Sequence, residues 1–177
     1  MARRVELRRL DPDDPRPRFS CGDSELDEFY AVDSVVGGRE LLSVTYAFED
    51  GHGDEAAFFC VSNDAIKKQL LPRSSFKRLV RVVPHEKRYS SMPAVKIGRL
   101  GVSSEHRGAG IGTAVLDYIK TWFTVGNKTG CRFLVVDAYN QPEAMSFCRR
   151  NGFELLTSSD ERDATRIVYF DLITFRA

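Results

Sequence analysis

Apolar stretches with a strand-like pattern alternate along the chain with apolar stretches that have helical spacing. Stretches rich in β-branched and aromatic residues predict strands, and they lie at 5–10, 41–48, 56–61, 94–102, 131–138, 153–156 and 166–174. The separator 49–55 is polar and contains glycine, which predicts a hairpin between the strands on either side of it.

Helical spacing is clearest at 113–123, where bulky apolar side chains fall on one face: Val115, Leu116, Ile119, Trp122 and Phe123. A later helix is expected to begin at Pro142 and to end at Asn151–Gly152, because proline favours a first turn and glycine a C-terminal cap. A short first helix is expected after Asp23 or Ser24 as the N-cap.

The order of these elements indicates an α/β fold. The region 94–138 has the order strand, helix, strand, which predicts a crossover connection and a parallel strand pair in an otherwise mixed sheet. The chain has 177 residues, of which 42% are hydrophobic and 29% charged, so residues 1–177 are expected to form a single globular domain.

Cysteine usage and hydropathy exclude several classes of protein. The four cysteines are far apart and form no CxxC pair, which argues against a zinc site or a disulfide framework and favours reduced thiols. No apolar run approaches the roughly 20 residues of a membrane helix, and no apolar leader follows Met1. We therefore expect a cytoplasmic protein without a metal or a membrane partner.

The net charge of +1 conceals an uneven distribution along the chain. The segment 11–28 carries seven acidic and two basic residues, whereas 64–93 carries eight basic and two acidic ones. The basic segment has two interpretations: a surface for an acidic acceptor or for RNA phosphates, or a solvated helix face with a loop.

A glycine-rich loop, 105–113, follows one predicted strand and precedes a predicted helix. Alternate glycines at Gly108, Gly110 and Gly112 leave backbone N–H groups unobstructed at a helix N-terminus, where an anion is favoured. The loop lacks the Gly-Lys-Ser/Thr of a Walker motif, and its glycine spacing differs from the Rossmann fingerprint. The loop therefore predicts a phosphate-bearing ligand, and a tight structural turn is the alternative.

Two motifs in order resemble a known family. Arg107-Gly-Ala-Gly-Ile-Gly112 after 96–102 resembles the Q/R-x-x-G-x-G/A acyl-CoA motif of the GCN5-related N-acetyltransferases (GNAT). The stretch 136–140, followed by 144–153 with its final Asn-Gly-Phe, resembles the late strand and helix of that family. The stretch 19–29 resembles the F-x-C-G-x-x-x-L-x-x-F start of a subgroup that includes toxins acetylating aminoacyl-tRNA.

The resemblance implies a mixed, mostly antiparallel twisted sheet with flanking helices and a splayed parallel strand pair that holds acetyl-CoA, the acyl donor. The backbone of Leu100, Gly101 and Val102 would meet the acetyl group and pantetheine. The residues expected to take the pyrophosphate follow in the loop: Arg107, Gly108, Ala109, Gly110, Ile111, Gly112 and Thr113. Asn140 and Phe147 complete the expected cofactor contacts.

The proton donor departs from the family pattern. Many members have a tyrosine directly after the phenylalanine of the late helix, and here that position is Cys148. A thiol can donate a proton, but a buried cysteine on an apolar helix face also suits the core. Tyr139 is the first alternative donor and Tyr169 the second.

The general base stays open, with several candidates in the sequence: Asp137, Glu105, His106 and the acids around Glu25. His106 is expected to be an exposed loop residue rather than the base, since it lies beside the loop for the pyrophosphate and a base must reach the acceptor amine.

The sequence therefore predicts an acetyl-CoA-dependent N-acetyltransferase in which a primary amine attacks the thioester directly in a ternary complex. The acceptor is left unassigned. A toxin that acetylates aminoacyl-tRNA and a non-catalytic CoA-binding regulatory module are the alternatives. The expected partners are acetyl-CoA and an amine acceptor, with tRNA a candidate through 64–93, and a homodimer is the candidate assembly.

Overall fold

The computed structural model describes residues 6–85, 89–127 and 129–175. Its strands are β1 (Glu6–Arg9), β2 (Val44–Glu49), β3 (Glu55–Lys67), β4 (Ser91–Val102), β5 (Phe133–Tyr139), β6 (Glu154–Leu155) and β7 (Thr165–Asp171). Its α-helices are α1 (Ser24–Glu28), α2 (Ser34–Arg39), α3 (Arg73–Val80), α4 (Ile111–Thr124) and α5 (Pro142–Arg150).

The strands form one sheet in the order β1-β2-β3-β4-β5-β7-β6. The pairs β1–β2, β2–β3, β5–β7 and β6–β7 are antiparallel. Strands β4 and β5 run in the same direction, since Arg132 N–H donates to the Pro93 carbonyl at 3.0 Å and Lys96 pairs with Asp137 further along. The predicted mixed sheet with a parallel pair is confirmed. The parallel pair is possible because α4, which connects the two strands, is long enough to carry the chain across the sheet.

The chain divides into two compact units. The first, which we call the loop unit, comprises the chain up to Ser62 together with Ile97–Tyr118. Its core packs Leu10, Tyr30, Ala47 and Phe58 together, with Phe19 and Phe29 against them. Burying these apolar and aromatic side chains stabilises the unit.

The second unit, which we call the late unit, comprises Asn63–Lys96 and the chain from Ile119 onward. Its core contains residues from α3, from β3, β4, β5 and β7, and one residue directly after β6: Ile66, Phe76, Leu79, Val80, Met92, Ala94, Phe133, Val135, Leu156 and Tyr169. The expectation of a single domain over residues 1–177 stays a prediction.

Two helical segments differ from the sequence prediction. The first helix is longer than expected, because α1 continues through a π-helical turn, Phe29–Asp33, into α2. The Asp23 side chain caps its start by accepting from the N–H groups of Glu25 at 3.0 Å and Leu26 at 3.3 Å. Helix α3 lies inside the basic segment, where apolar residues at helical spacing were hidden among the charges.

Candidate active site

The glycine-rich loop joins the end of β4 to α4 in the loop unit. A short 3₁₀ turn, Ser104–His106, comes first, and Gly108 and Gly110 then adopt φ values of 75° and 77°. The N–H of Ala114 donates to the Gly110 carbonyl at 3.0 Å, which begins the helical hydrogen-bond ladder. Helix geometry leaves the N–H groups of the first turn without partners inside the helix.

The outer surface of this loop fits a phosphate-bearing group. A Cβ atom added at Gly108 or Gly110 would meet no heavy atom within 4 Å, and the loop from Arg107 to Gly110 is exposed. Positive φ favours glycine at both positions, and the positive end of the α4 dipole lies directly behind them. An open cradle of N–H groups at a helix start suits a diphosphate.

The end of β4 supplies the backbone that was predicted to meet the acetyl group. At Gly101 a Cβ atom would lie 2.6 Å from Cε1 of Phe58, so only glycine fits beneath that ring. Leu100 and Val102 are half-buried, and Ser103 N–H closes the strand by donating to the Ala56 carbonyl at 2.9 Å. Sequence reasoning missed Phe58, which fixes the position of this part of the strand.

The Arg107 side chain has a structural contact that the sequence did not reveal. Its guanidinium donates to the Cys21 carbonyl, and the Cys21 N–H donates to Asp27 Oδ1 at 2.8 Å. Partial burial alone would raise the pKa of Asp27, but hydrogen bonds from Cys21 and Ser20 outweigh it and lower that pKa. The F-x-C-G stretch therefore holds the glycine-rich loop in place. The presence of both motifs in one sequence is the signal that could have indicated this contact.

His106 is mostly buried, and the expectation that it is an exposed loop residue is wrong. Only 13% of its side chain is exposed, and its Nε2 lies 3.5 Å from Asp50 Oδ2 in the β2–β3 connection. Hydrogen bonds from the N–H groups of His52 and Asp54 lower the pKa of Asp50. This pair joins the hairpin to the loop, which is a structural role for His106.

Tyr139 and Asn140 lie at the end of β5 in the late unit. Tyr139 is half-buried and pairs in register with Thr165 of β7. The Asn140 side-chain amide donates to the carbonyls of Glu161 at 3.0 Å and Asp163 at 2.9 Å. The side chain predicted to contact pantetheine thus holds the β6–β7 connection in place.

Helix α5 presents Phe147 half-buried and Cys148 buried. Burial raises the pKa of the Cys148 thiol, which keeps it protonated across the neutral range. The helix ends as predicted, with Asn151 as the C-cap and Gly152 at a φ of 80°. Its burial among apolar residues favours a packing role for Cys148.

Tyr169 hydrogen-bonds through its hydroxyl to Glu154 Oε2 at 3.3 Å and belongs to the core of the late unit. Burial and the neighbouring Glu154 carboxylate raise the pKa of this phenol. The hydrogen bond to Glu154 and the position of the ring in the core argue against a role for Tyr169 in proton transfer.

The candidate bases occupy different surroundings. Asp137 forms an ion pair with Lys96 on the adjacent strand, which stabilises the ionised carboxylate. Glu105 is exposed on the loop, and the Glu25 side chain is 65% exposed. Among the described residues, no group of three or more His, Cys, Asp or Glu side chains is arranged to hold a metal ion.

The four cysteines are unpaired and buried. Within the described ranges, no helix combines the length and the apolar character needed to cross a bilayer.

Part of the chain is similar to a known family of domains. Residues 75–155 match the family model of the acetyltransferase (GNAT) domain. No curated protein matches the chain.

Solved structures match the chain over almost its whole length. AtaT complexed with acetyl-methionyl-tRNAfMet has a TM-score of 0.78 at 19% identity and covers 98% of each chain. A tyrosine-to-phenylalanine mutant of KacT has a TM-score of 0.76 at 18% identity, covering 97% of each chain. An AtaT mutant toxin bound to acetyl-CoA and the C-terminus of the antitoxin AtaR has a TM-score of 0.72 at 17% identity, covering 97% of this chain and 96% of that one.

The family match includes the glycine-rich loop and α5, which carry the two motifs recognised in the sequence. The fold agrees with that of the solved structures, and the expected sheet is present. Residues 75–155 are therefore similar to the acetyltransferase (GNAT) domain, and the chain has the fold of AtaT and KacT.

Proposed function

We propose that the protein transfers the acetyl group of acetyl-CoA to the α-amine of an aminoacyl-tRNA. The observation that carries this proposal is the agreement in fold, over 98% of both chains, with AtaT complexed with acetyl-methionyl-tRNAfMet. Because the family match begins only at residue 75, agreement over the preceding part of the chain adds support for this subgroup.

Acetyl-CoA supplies an activated thioester, so the protein needs to bind and orient the two substrates and to transfer protons. The first-turn N–H groups of α4 hold the diphosphate, and the backbone of Leu100 and Val102 orients the acetyl end. Direct attack by a neutral amine needs no covalent enzyme intermediate, and water carries its proton away because Asp137 is already ion-paired with Lys96. Tyr139 donates a proton to the leaving thiolate.

A group of exposed basic side chains in the late unit, which we call the basic surface, suits the phosphates of tRNA. Helix α3 turns Phe76, Leu79 and Val80 into the core, and its charges remain outside. The members of the basic surface that the structure describes are Lys67, Lys68, Arg73, Lys77, Arg78 and Arg81, whereas Lys87 and Arg88 lie outside the described residues. Arg78 fixes the helix by donating to the carbonyls of Leu155 at 3.0 Å and Leu156 at 3.3 Å.

The direct test is incubation of the purified protein with acetyl-CoA and aminoacyl-tRNA, followed by mass spectrometry of the released aminoacyl group. We expect N-acetylation of charged tRNA and none of uncharged tRNA, which lacks the amine. Turnover on small amines or peptides without turnover on any aminoacyl-tRNA would overturn the proposed acceptor. Binding of acetyl-CoA without turnover on any amine would favour the regulatory module.

Removing two charges from the basic surface should weaken tRNA use. In the double variant Lys77→Gln/Arg81→Gln we expect the KM for aminoacyl-tRNA to rise about tenfold, with an unchanged KM for acetyl-CoA. The slope of log KM against log salt concentration should fall by about two, because each lost cation releases one fewer counterion. Both parameters can be measured by steady-state kinetics between low and physiological salt.

Arg9→Gln is a control that removes one charge elsewhere. Arg9 is exposed on the edge strand β1 and lies outside the basic surface. If bulk charge alone attracted the tRNA, KM would rise about threefold in the control, which is the share of one charge in a tenfold effect of two; that rise would contradict a specific role of the basic surface.

The substitution Tyr169→Phe should leave the turnover number nearly intact. Its hydroxyl is hydrogen-bonded to Glu154, so its loss removes one hydrogen bond, worth about 1 kcal/mol, and no proton donor. We expect kcat within about twofold of wild type, given that a true general acid contributes about 100-fold or more. A fall of that size in kcat, with normal thermal unfolding, would make Tyr169 the donor.

A further inference from the structure

Arg99 has an unusual position in the loop unit, beside the end of β4. Its guanidinium carbon lies 5.4 Å from the centroid of the Phe29 ring, between the strand and the first helix. One of its terminal nitrogens, Nη1, donates to the neighbouring Gly98 carbonyl at 2.8 Å. Stacking and this hydrogen bond fix the plane of the guanidinium before any ligand arrives.

Among the described residues, no acceptor lies within hydrogen-bond distance of the edge of Arg99 that carries Nε and Nη2. Nε is buried and lacks a hydrogen-bond partner, and Nη2 lies 3.8 Å from Glu25 Oε1, which is beyond hydrogen-bond distance. Leaving a buried charged donor unpaired is costly, so this edge is suited to receive an anion.

A second arginine of the protein shows how the Nε and Nη2 edge of a guanidinium binds an anion. Arg132 uses its Nε and Nη2 atoms to bind both carboxylate oxygens of Asp171, at 2.5 and 2.9 Å. A planar anion with two oxygens therefore complements the edge, and carboxylates and phosphates both qualify. Glu25 does not fill this role in Arg99, because its side chain is 65% exposed and stands too far away.

The position of Arg99 along β4 limits which ligand can reach it. Side chains two residues apart in a strand share a face, so Arg99 lies on the face of Gly101, which packs beneath Phe58. Phe29 stacks on the same Phe58 ring with centroids 6.1 Å apart. The anion would lie beside the first helix, next to the backbone of Leu100.

We infer that Arg99 binds the phosphodiester nearest the acceptor amine, the one that links the last two nucleotides of the aminoacyl-tRNA. This inference rests on the proposed function and specifies how its acceptor is recognised. An amine attacking beside Leu100 brings the 3′ nucleotide with it, and its phosphate is the closest anion of an aminoacyl-tRNA. Glu25 turns aside when the phosphate takes the Nε and Nη2 edge.

The test compares two stable acceptors that differ by one phosphodiester. The first is the methionyl amide of 3′-amino-3′-deoxyadenosine, and the second carries a cytidine joined to its 5′ position through a phosphate. We expect wild type to have a kcat/KM at least about tenfold higher for the second acceptor, and Arg99→Gln to lose that advantage. Arg99→Lys should retain part of it, because lysine keeps the charge but not the two-pronged geometry.

Glu25→Gln is the opposing variant and should strengthen the preference. Removing the competing carboxylate is expected to raise the ratio of kcat/KM between the two acceptors by about two- to fivefold. Thermal unfolding of all three variants shows whether each is folded. The KM for acetyl-CoA is expected to stay at the wild-type value throughout.

Two results would overturn the inference alone. A fall in kcat/KM by the same factor for both acceptors in Arg99→Gln would make Arg99 a structural residue. A rise in the KM for acetyl-CoA, with an unchanged ratio between the acceptors, would place the bound phosphate on the donor. If wild type acetylated neither acceptor and no aminoacyl-tRNA, the proposed function would fail, and the inference would fall with it.

Discussion

Gly110→Asp is expected to weaken acetyl-CoA binding by about 100-fold, which isothermal titration calorimetry can measure directly. The added carboxylate would extend into the open space above the loop, where a Cβ atom at this position meets nothing within 4 Å. It would compete for the first-turn N–H groups of α4 and repel the diphosphate. Losing two charge-assisted hydrogen bonds of about 1.5 kcal/mol each is sufficient for this effect.

Gly110→Asn separates the charge from the backbone strain. Gly110 has a φ of 77°, and asparagine and aspartate both tolerate that conformation better than other side chains do. We expect Gly110→Asn to weaken binding by less than about tenfold, because it adds the same bulk without the charge. The difference between the two variants should shrink as salt is raised.

Gly126→Asp is a second control, placed just beyond the C-terminal end of the same helix. Gly126 has a φ of 76° and equally open surroundings, so the substitution imposes the same strain. Acetyl-CoA affinity should stay at the wild-type value. Equal affinities for wild type and Gly110→Asp would mean that the loop does not bind the diphosphate.

Local patterns in the sequence were sufficient to predict most of the sheet. Apolar stretches in the sequence predicted β2, β4, β5 and β7 within a few residues, because these strands bury one or both faces. The parallel pair followed from α4, since a long helix between strands carries the chain back to the same edge. Glycine spacing likewise predicted the loop, because positive φ at Gly108 and Gly110 is a purely local requirement.

Features that depend on distant contacts could not be read from the sequence. The burial of His106 depends on Asp50, and the role of the Arg107 side chain depends on the Cys21 carbonyl. Each pair brings together residues that are more than fifty positions apart, and no local pattern encodes such a pairing. The unpaired edge of Arg99 is of the same kind, because it is defined by which acceptors fail to reach it.

The many charged residues of the basic segment also made its helix, α3, difficult to predict. Its six described cations dominate the local composition, whereas the apolar residues that α3 buries are spaced three and four apart among them. A helix that packs only one narrow face looks like a solvated segment when its composition is averaged. The described part of the segment thus combines both interpretations, a folded helix and a charged surface.

Tyr139→Phe is expected to lower kcat by about 100-fold while the KM values for acetyl-CoA and the acceptor stay within about twofold. The substitution removes only a hydroxyl from a half-buried ring, so binding of the ground state is preserved. The leaving thiolate would then depart without a proton donor. Steady-state kinetics with saturating acetyl-CoA measures the effect, and circular dichroism confirms the fold.

The two substitutions separate Tyr139 from Cys148. If Tyr139 is the donor, kcat falls in Tyr139→Phe and is kept in Cys148→Ala.

Cys148→Ala should behave as a core variant. Only 8% of the residue is exposed, so truncating it costs about 1–2 kcal/mol of stability through lost packing and changes kcat by less than about threefold. The reverse pattern, with kcat lost in Cys148→Ala and kept in Tyr139→Phe, would assign proton donation to the thiol. In that outcome Cys148 would do the work of the tyrosine that many GNAT members have at this position. Burial raises the pKa of the Cys148 thiol, so the thiol would still carry its proton when the coenzyme A thiolate leaves.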